Sequence, residues 1–202
     1  MDSKKIVKVP FEKDVVKELR AGDYIYLTGT LYSARDAAHK RLYDSILEKE
    51  SKGAVLTGGE LYEEKVLPLD ITGNIFYYLG PTPAKEGQVI GSAGPTTSSR
   101  MDKYTPLLLE KGLVGMIGKG KRNKDVIDAI VKNGAVYMAA VGGAGALLSK
   151  CIKESRVIAY DDLGTEAIRE MKVEDFPVVV VIDSQGNNLY ETAVEEYKKK
   201  GR

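Results

Sequence analysis

The run Gly94-Pro95-Thr96-Thr97-Ser98-Ser99-Arg100-Met101-Asp102 combines hydroxyl groups, backbone amides and a guanidinium in an order that suits a carboxylate. Read as the start of a helix from Ser98 to Lys111, it offers N–H groups at the positive end of a dipole, threonines as caps, and Arg100 as a two-pronged donor. A small dicarboxylate fits such a seat. The run Ala34-Arg35-Asp36-Ala37-Ala38-His39 adds a second guanidinium. Arg35 and His39 stand at i and i+4, sharing one helix face, and His39 is the only histidine in the chain. Asp36 is placed to orient Arg35 or to pair with Lys40 one turn on. A third run, Gly118-Lys119-Gly120-Lys121-Arg122, lacks the spacing of a phosphate loop; its glycines instead let the backbone turn at a strand end and present Lys119 at the carboxyl edge of a sheet. Gly142-Gly143-Ala144-Gly145 reads as a close-packed turn, with a backbone anion contact as the other reading.

The elements that position these runs alternate along the chain. Apolar patterning predicts strands at Val7–Pro10, Tyr24–Thr30, Ile75–Leu79, Leu113–Ile117, Ala135–Ala139, Arg156–Tyr160 and Val178–Asp183. Helices are predicted over Phe11–Arg20, the segment of Arg35 and His39, Ser98–Lys111, Lys124–Asn133, Ala144–Ile152 and Thr165–Met171, with Ala38, Leu42 and Ile46 facing the core of the second. Ser184-Gln185-Gly186-Asn187 reads as a hairpin turn. Residues 48–72 are less regular and read as an excursion from one domain spanning 1–202. Strand and helix in this alternation imply an α/β fold, a parallel or mixed sheet with covering helices.

Composition narrows the function classes. Thirty basic residues nearly balance 29 acidic ones, for a formal net charge of +1, so the overall charge calls for neither nucleic acid nor a membrane surface. The basic tail Lys198–Arg202 reads as a solvated helix end. Twelve dispersed tyrosines and no tryptophan give no stacking surface for bases. No apolar stretch approaches the roughly 20 residues that span a bilayer, and no signal-peptide pattern opens the chain, so a cytoplasmic location is expected. A single cysteine, Cys151, excludes an internal disulfide. It also excludes a self-contained iron–sulfur site, which takes about three or four thiolates.

From Gly22-Asp23 and Thr28-Gly29-Thr30, through the three runs and the glycine cluster, to Val173-Glu174-Asp175-Phe176-Pro177, the chain resembles the β subunit, or C-terminal domain, of the class I iron–sulfur fumarases and the related L-tartrate dehydratases. The resemblance implies a layered β/β/α domain of the swivelling kind. It also implies half of an enzyme, a hydro-lyase interconverting fumarate and malate, whose 4Fe-4S cluster is carried by a partner α subunit, with α₂β₂ as the expected assembly and no metal bound by this chain alone. Carried over residue by residue, Arg35, Arg100 and Lys119 bind the substrate carboxylates, Thr97 orients the substrate, and Thr96 exchanges the proton. Asp36 and His39 stand behind these contacts. L-Tartrate is the alternative substrate, and a non-catalytic anion-binding or assembly domain is the alternative of another class.

Overall fold

The computed structural model describes residues 5–12, 14–140 and 144–193. Its elements are Ile6–Val9 (β1), the one-turn helix Val15–Glu18 (α1), Tyr24–Ser33 (β2), Asp36–Glu50 (α2), Gly58–Glu63 (α3), Ile75–Tyr77 (β3), Thr105–Glu110 (α4), Gly115–Gly118 (β4), Lys124–Asn133 (α5), Val136–Ala139 (β5), Gly145–Cys151 (α6), Ile152–Ala159 (β6) and Ile168–Ile182 (β7). Short 3-10 turns lie at Ser98–Met101 and Asp161–Glu166.

Strands β2, β3, β4 and β5 are parallel neighbours in that order. The long β7 runs antiparallel to both β5 and β2, which closes the five strands into a ring; β1 extends the sheet from β2 and β6 extends it from β7. Alternation along each strand then sends successive side chains to opposite sides of the wall. Ile75 and Tyr77 of β3 join Leu27, Ile117, Met138, Phe176 and Val178 inside the ring. Phe76 and Tyr78 join Met116 and Tyr137 on the outer side, where they meet Leu42 and Ile46 of α2, Leu108 of α4, and Val126 and Ile130 of α5. The result is the expected mixed α/β fold: two walls of sheet around one core, and helices covering a second.

Helix α5 shows why the chain folds this way locally. Asn123 accepts the Val126 N–H at 2.9 Å as an N-cap, and Gly134 ends the helix in the left-handed conformation at φ 63°. The stretch after α2 is more ordered than its composition suggests. Thr57 and Glu60 form a reciprocal capping box at α3, and Leu61, Leu67, Leu69 and Ile71 are buried in the outer core.

Several predicted elements differ from the structure: the helix predicted over Phe11–Arg20 is the single turn Val15–Glu18. The helix predicted from Ser98 to Lys111 is a four-residue 3-10 turn followed by α4, because Pro106 lacks the N–H that an interior position must donate and instead sits in the first turn of a new helix. The helix predicted at Thr165–Met171 is a 3-10 turn running into β7, since Ile168–Val173 is held by ladders to β2 on one edge and β6 on the other. Strand β6 starts at Ile152, directly after α6, and β7 starts ten residues before the predicted Val178. The turn at Ser184–Asn187 forms as expected, with Asp183 accepting the Gln185 and Asn187 N–H groups and Ile182 bridging Asn188. Val141, Gly142, Gly143 and the basic tail lie outside the described residues.

Candidate active site

Parallel strands deliver their carboxyl ends to one edge, and in α/β folds that edge is where ligands gather. Ser33 ends β2 and Arg35 follows it; Tyr77 ends β3 and Gly80 follows; Gly118 ends β4 and Lys119 follows. Because β7 is antiparallel, its leading 3-10 turn, with Glu166, arrives at the same edge.

The segment Gly94–Thr97 threads between these strand ends. Pro95 bridges Leu79, the Thr96 N–H donates to the Tyr78 carbonyl at 2.8 Å, Thr97 bridges Lys119, and the Ser98 N–H donates to the Lys119 carbonyl at 2.9 Å. These contacts correct the expectation of a helix dipole. The following 3-10 turn has no side-chain cap from Thr97, and two of the amides expected to face an anion are spent on the sheet. What remains for an anion is an array of side-chain cations.

Close packing fixes that array. Ser98 is fully buried, its hydroxyl is 2.9 Å from the Tyr137 hydroxyl, and Tyr137 donates to the Gly120 carbonyl at 2.8 Å. A Cβ on Gly118 would stand 2.0 Å from the Ser98 Oγ, so glycine here permits the approach of the 3-10 turn, whereas Gly120 supplies a turn at φ 85°. The glycine expected to seat a helix after the Gly142 cluster does similar work: Gly145 accepts the Ala93 N–H at 3.0 Å, and a Cβ there would meet Ser92 Oγ at 2.3 Å.

Two guanidinium groups meet on one carboxylate. Asp36 Oδ2 accepts from Arg35 Nε at 3.2 Å, and Asp36 Oδ1 lies 2.7 Å from Arg100 Nε. Asp36 thus bridges the two arginines, and Lys40 pairs with Asp44 instead. Arg35 is not part of the helical face expected from its spacing. It caps α2 in an extended conformation, with its Nη2 3.3 Å from Glu166 Oε1. The other Glu166 oxygen accepts the Ala37 N–H at 2.8 Å, so the same carboxylate anchors the first turn of α2.

Behind Arg35, His39 is fully buried. Its Nδ1 donates to the Arg35 carbonyl at 3.2 Å, which sets the tautomer, and its ring lies edge-on to Phe76 and Tyr78 at centroid distances of 5.5 and 5.2 Å. Nε2 has no partner among the described residues. Burial pushes the imidazole down from its ordinary 6.5 to about 3, which leaves it neutral and unsuited to carrying protons near neutral pH.

Sequence reasoning missed three contributors. Glu166 lay in a segment read as helix. Gly80 looks like an ordinary turn glycine, yet a Cβ on it would stand 2.5 Å from Arg35 Nη1. Arg122 closes the third run and is buried: Nε donates to Asp102 at 2.6 Å and Nη2 to Thr105 at 2.8 Å, and its guanidinium carbon lies 5.0 Å from the Tyr137 ring centroid. It ties the loop after Lys119 to the residues that follow Arg100. The pairing of Asp102 with Arg122 was the one signal within reach, since both residues belong to the quoted motifs. Thr97 and Lys119 are exposed and Thr96 is half-buried.

The described residues do not fit a metal or cluster. No group of three His, Cys, Asp or Glu side chains converges among them, and Cys151 lies across the fold with its Sγ 3.7 Å from the Asp175 carbonyl.

Comparison with known proteins matches this chain to one family. The model described as the fumarase C-terminus covers residues 2–193. Fumarate hydratase 2 of Leishmania major is 36% identical over 188 residues, 91% of this chain and 30% of that protein. The anaerobic class I fumarate hydratase of Escherichia coli is 37% identical over 172 residues, 84% of this chain and 29% of that protein. A putative L(+)-tartrate dehydratase subunit beta of Methanocaldococcus jannaschii is 35% identical over 185 residues, 89% of this chain and 87% of that protein. The chain therefore spans about three tenths of the two fumarate hydratases and most of the beta subunit.

Proposed function

The chain belongs to the fumarase C-terminus family, and from that premise we propose that it is the β subunit of an iron–sulfur-dependent hydro-lyase, most simply a fumarate hydratase. The observation that carries this reading is the gathering of Arg35, Arg100 and Lys119 at the carboxyl ends of β2, β3 and β4, with Thr96 and Thr97 threaded among them.

In this reading Arg35 takes a carboxylate through Nη1 and Arg100 through its paired Nη groups, and Lys119 adds a point charge that forms no ion pair among the described residues. Thr97 orients the substrate from its bridge to Lys119. The Thr96 hydroxyl holds or moves the proton at the carbon to be protonated, activated by a neighbouring guanidinium or by a carboxylate from outside this chain. The 4Fe-4S cluster that the family resemblance implies belongs to a separate α subunit, because this chain offers one cysteine. An α subunit is also what the similarity to the putative L(+)-tartrate dehydratase subunit beta of Methanocaldococcus jannaschii suggests, and the same similarity keeps L-tartrate as the second candidate substrate. Placement in the cytoplasm, as one domain, and in an α₂β₂ assembly goes with this proposal.

Replacing Arg100 with Ala in the complex of this chain with its α subunit tests the reading. The expected result is a fall in kcat/KM for fumarate of roughly a hundredfold or more with complex formation intact. Unchanged turnover would refute it. Loss of α-subunit binding, with no separate effect on chemistry, would favour the assembly role instead.

A further inference from the structure

We propose that Asp36, Glu166 and Gly80 form a cradle that sets the spacing and direction of the Arg35 and Arg100 guanidinium groups, and thereby makes the site selective for a ligand with two carboxylates over one with a single carboxylate. This rests on the hydro-lyase reading for the identity of the ligand.

Three independent contacts restrain Arg35. Asp36 occupies its Nε, Glu166 occupies its Nη2, and Gly80 leaves space for Nη1 where any Cβ would collide at 2.5 Å. Asp36 also occupies the Nε of Arg100 at 2.7 Å. With each Nε spent on the same carboxylate and Arg35 Nη2 spent on Glu166, Arg35 keeps Nη1 for a ligand and Arg100 keeps its two Nη groups, and Asp36 ties the two guanidinium groups to each other. Side chains as long as arginine otherwise lose rotamer freedom on binding; for Arg35, held at three points, much of that ordering is already in place.

Charge points the same way. The positive charges of Arg35 and Arg100 are matched by the negative charges of Asp36 and Glu166, so the surplus of this cluster is Lys119 alone. A nearly neutral cluster does not attract anions through its general field. Discrimination must come from the placement of the two guanidinium groups, which favours a ligand able to engage both at once. Asp36, Glu166 and Gly80 act through the arginines and are positioning residues.

The test uses the complex with the α subunit and three variants: Asp36→Asn, Glu166→Gln and Gly80→Ala. Kinetics with fumarate are measured together with binding of succinate, which carries two carboxylates, and butyrate, which carries one. In Asp36→Asn and Gly80→Ala, KM for fumarate and Kd for succinate should rise roughly tenfold or more, with kcat falling by a smaller factor and butyrate affinity held within about twofold. Glu166→Gln should show the same pattern more weakly. Gly80→Ala is the sharpest variant, because the clash is with a side-chain tip and the urea midpoint should not change. Retention of the succinate-over-butyrate preference in all three variants would overturn the proposal, as would equal weakening of both acids. If the wild-type complex prefers succinate and the variants lose that preference, but fumarate is never hydrated, the cradle stands and the hydratase reading fails.

Discussion

His39 carries the clearest pH signature of any single residue. It is fully buried and held near a pKa of 3 by burial, whereas in the unfolded chain it titrates near 6.5. Between those values the unfolded chain binds a proton that the folded chain refuses. Stability is therefore fully present above pH 6.5 and declines as pH falls, by about 1.4 kcal/mol per pH unit, until the folded value is reached. Because no other histidine exists, the contrast with His39→Gln isolates the effect. From pH 7 to pH 5, urea unfolding of the wild type should lose about 2 kcal/mol more than that of the variant; equal slopes would mean that water reaches the imidazole. At this scale the sequence was informative about residue type and weak about contact. The spacing of Arg35 and His39 correctly put them one turn apart, but whether Asp36 reached Lys40 or Arg100 depended on a turn more than sixty residues away. Glu166 and Gly80 carry no local mark at all, because their partner is the side-chain tip of Arg35, from a distant part of the chain.

The elements deliver the site, and Arg122 holds two of them together. Its side chain is fully buried and Asp102 is 8% exposed, so the pair exchanges water for each other and for Thr105, Tyr78 and the Asn123 N–H. Removing one partner strands a buried charge. Arg122→Met should destabilise the chain by roughly 3–5 kcal/mol, and adding Asp102→Leu should recover much of that loss, as read from urea unfolding of the single and double variants. A single-variant loss under about 1 kcal/mol would contradict this account of the loop. Strands β2 to β5 were legible because their apolar runs are local and bounded by turns. The 3-10 turn and α4 were readable in principle from Pro106, which cannot continue a helix. The start of β7 was not: Ile168 and Met171 fall at helical spacing, and only ladders to β2 and β6 from distant parts of the chain make the segment extended.

As a whole molecule, the chain presents its cations at an open edge. Thr97 and Lys119 are exposed, and the Arg100 side chain is 50% exposed. Coulomb attraction there is weakened by water, to about 1 kcal/mol for two charges 4 Å apart in bulk solvent. A site built to hold a dicarboxylate and move its protons needs a second surface to exclude that water and to supply the groups this chain lacks. In the proposed function an α subunit is that surface. No described helix is long and apolar enough to cross a membrane. The alternation of strand and helix made the class of fold legible, but closure into a ring depended on β7 pairing with both β2 and β5, which no local pattern encodes. The most direct measurement is anaerobic hydration of fumarate by this chain mixed with a cluster-loaded α subunit, beside each component alone and with L-tartrate as a second substrate. The account predicts fumarate hydration in the mixture and none in either component. Hydration by this chain alone, or a stable complex that acts on neither acid, would contradict it.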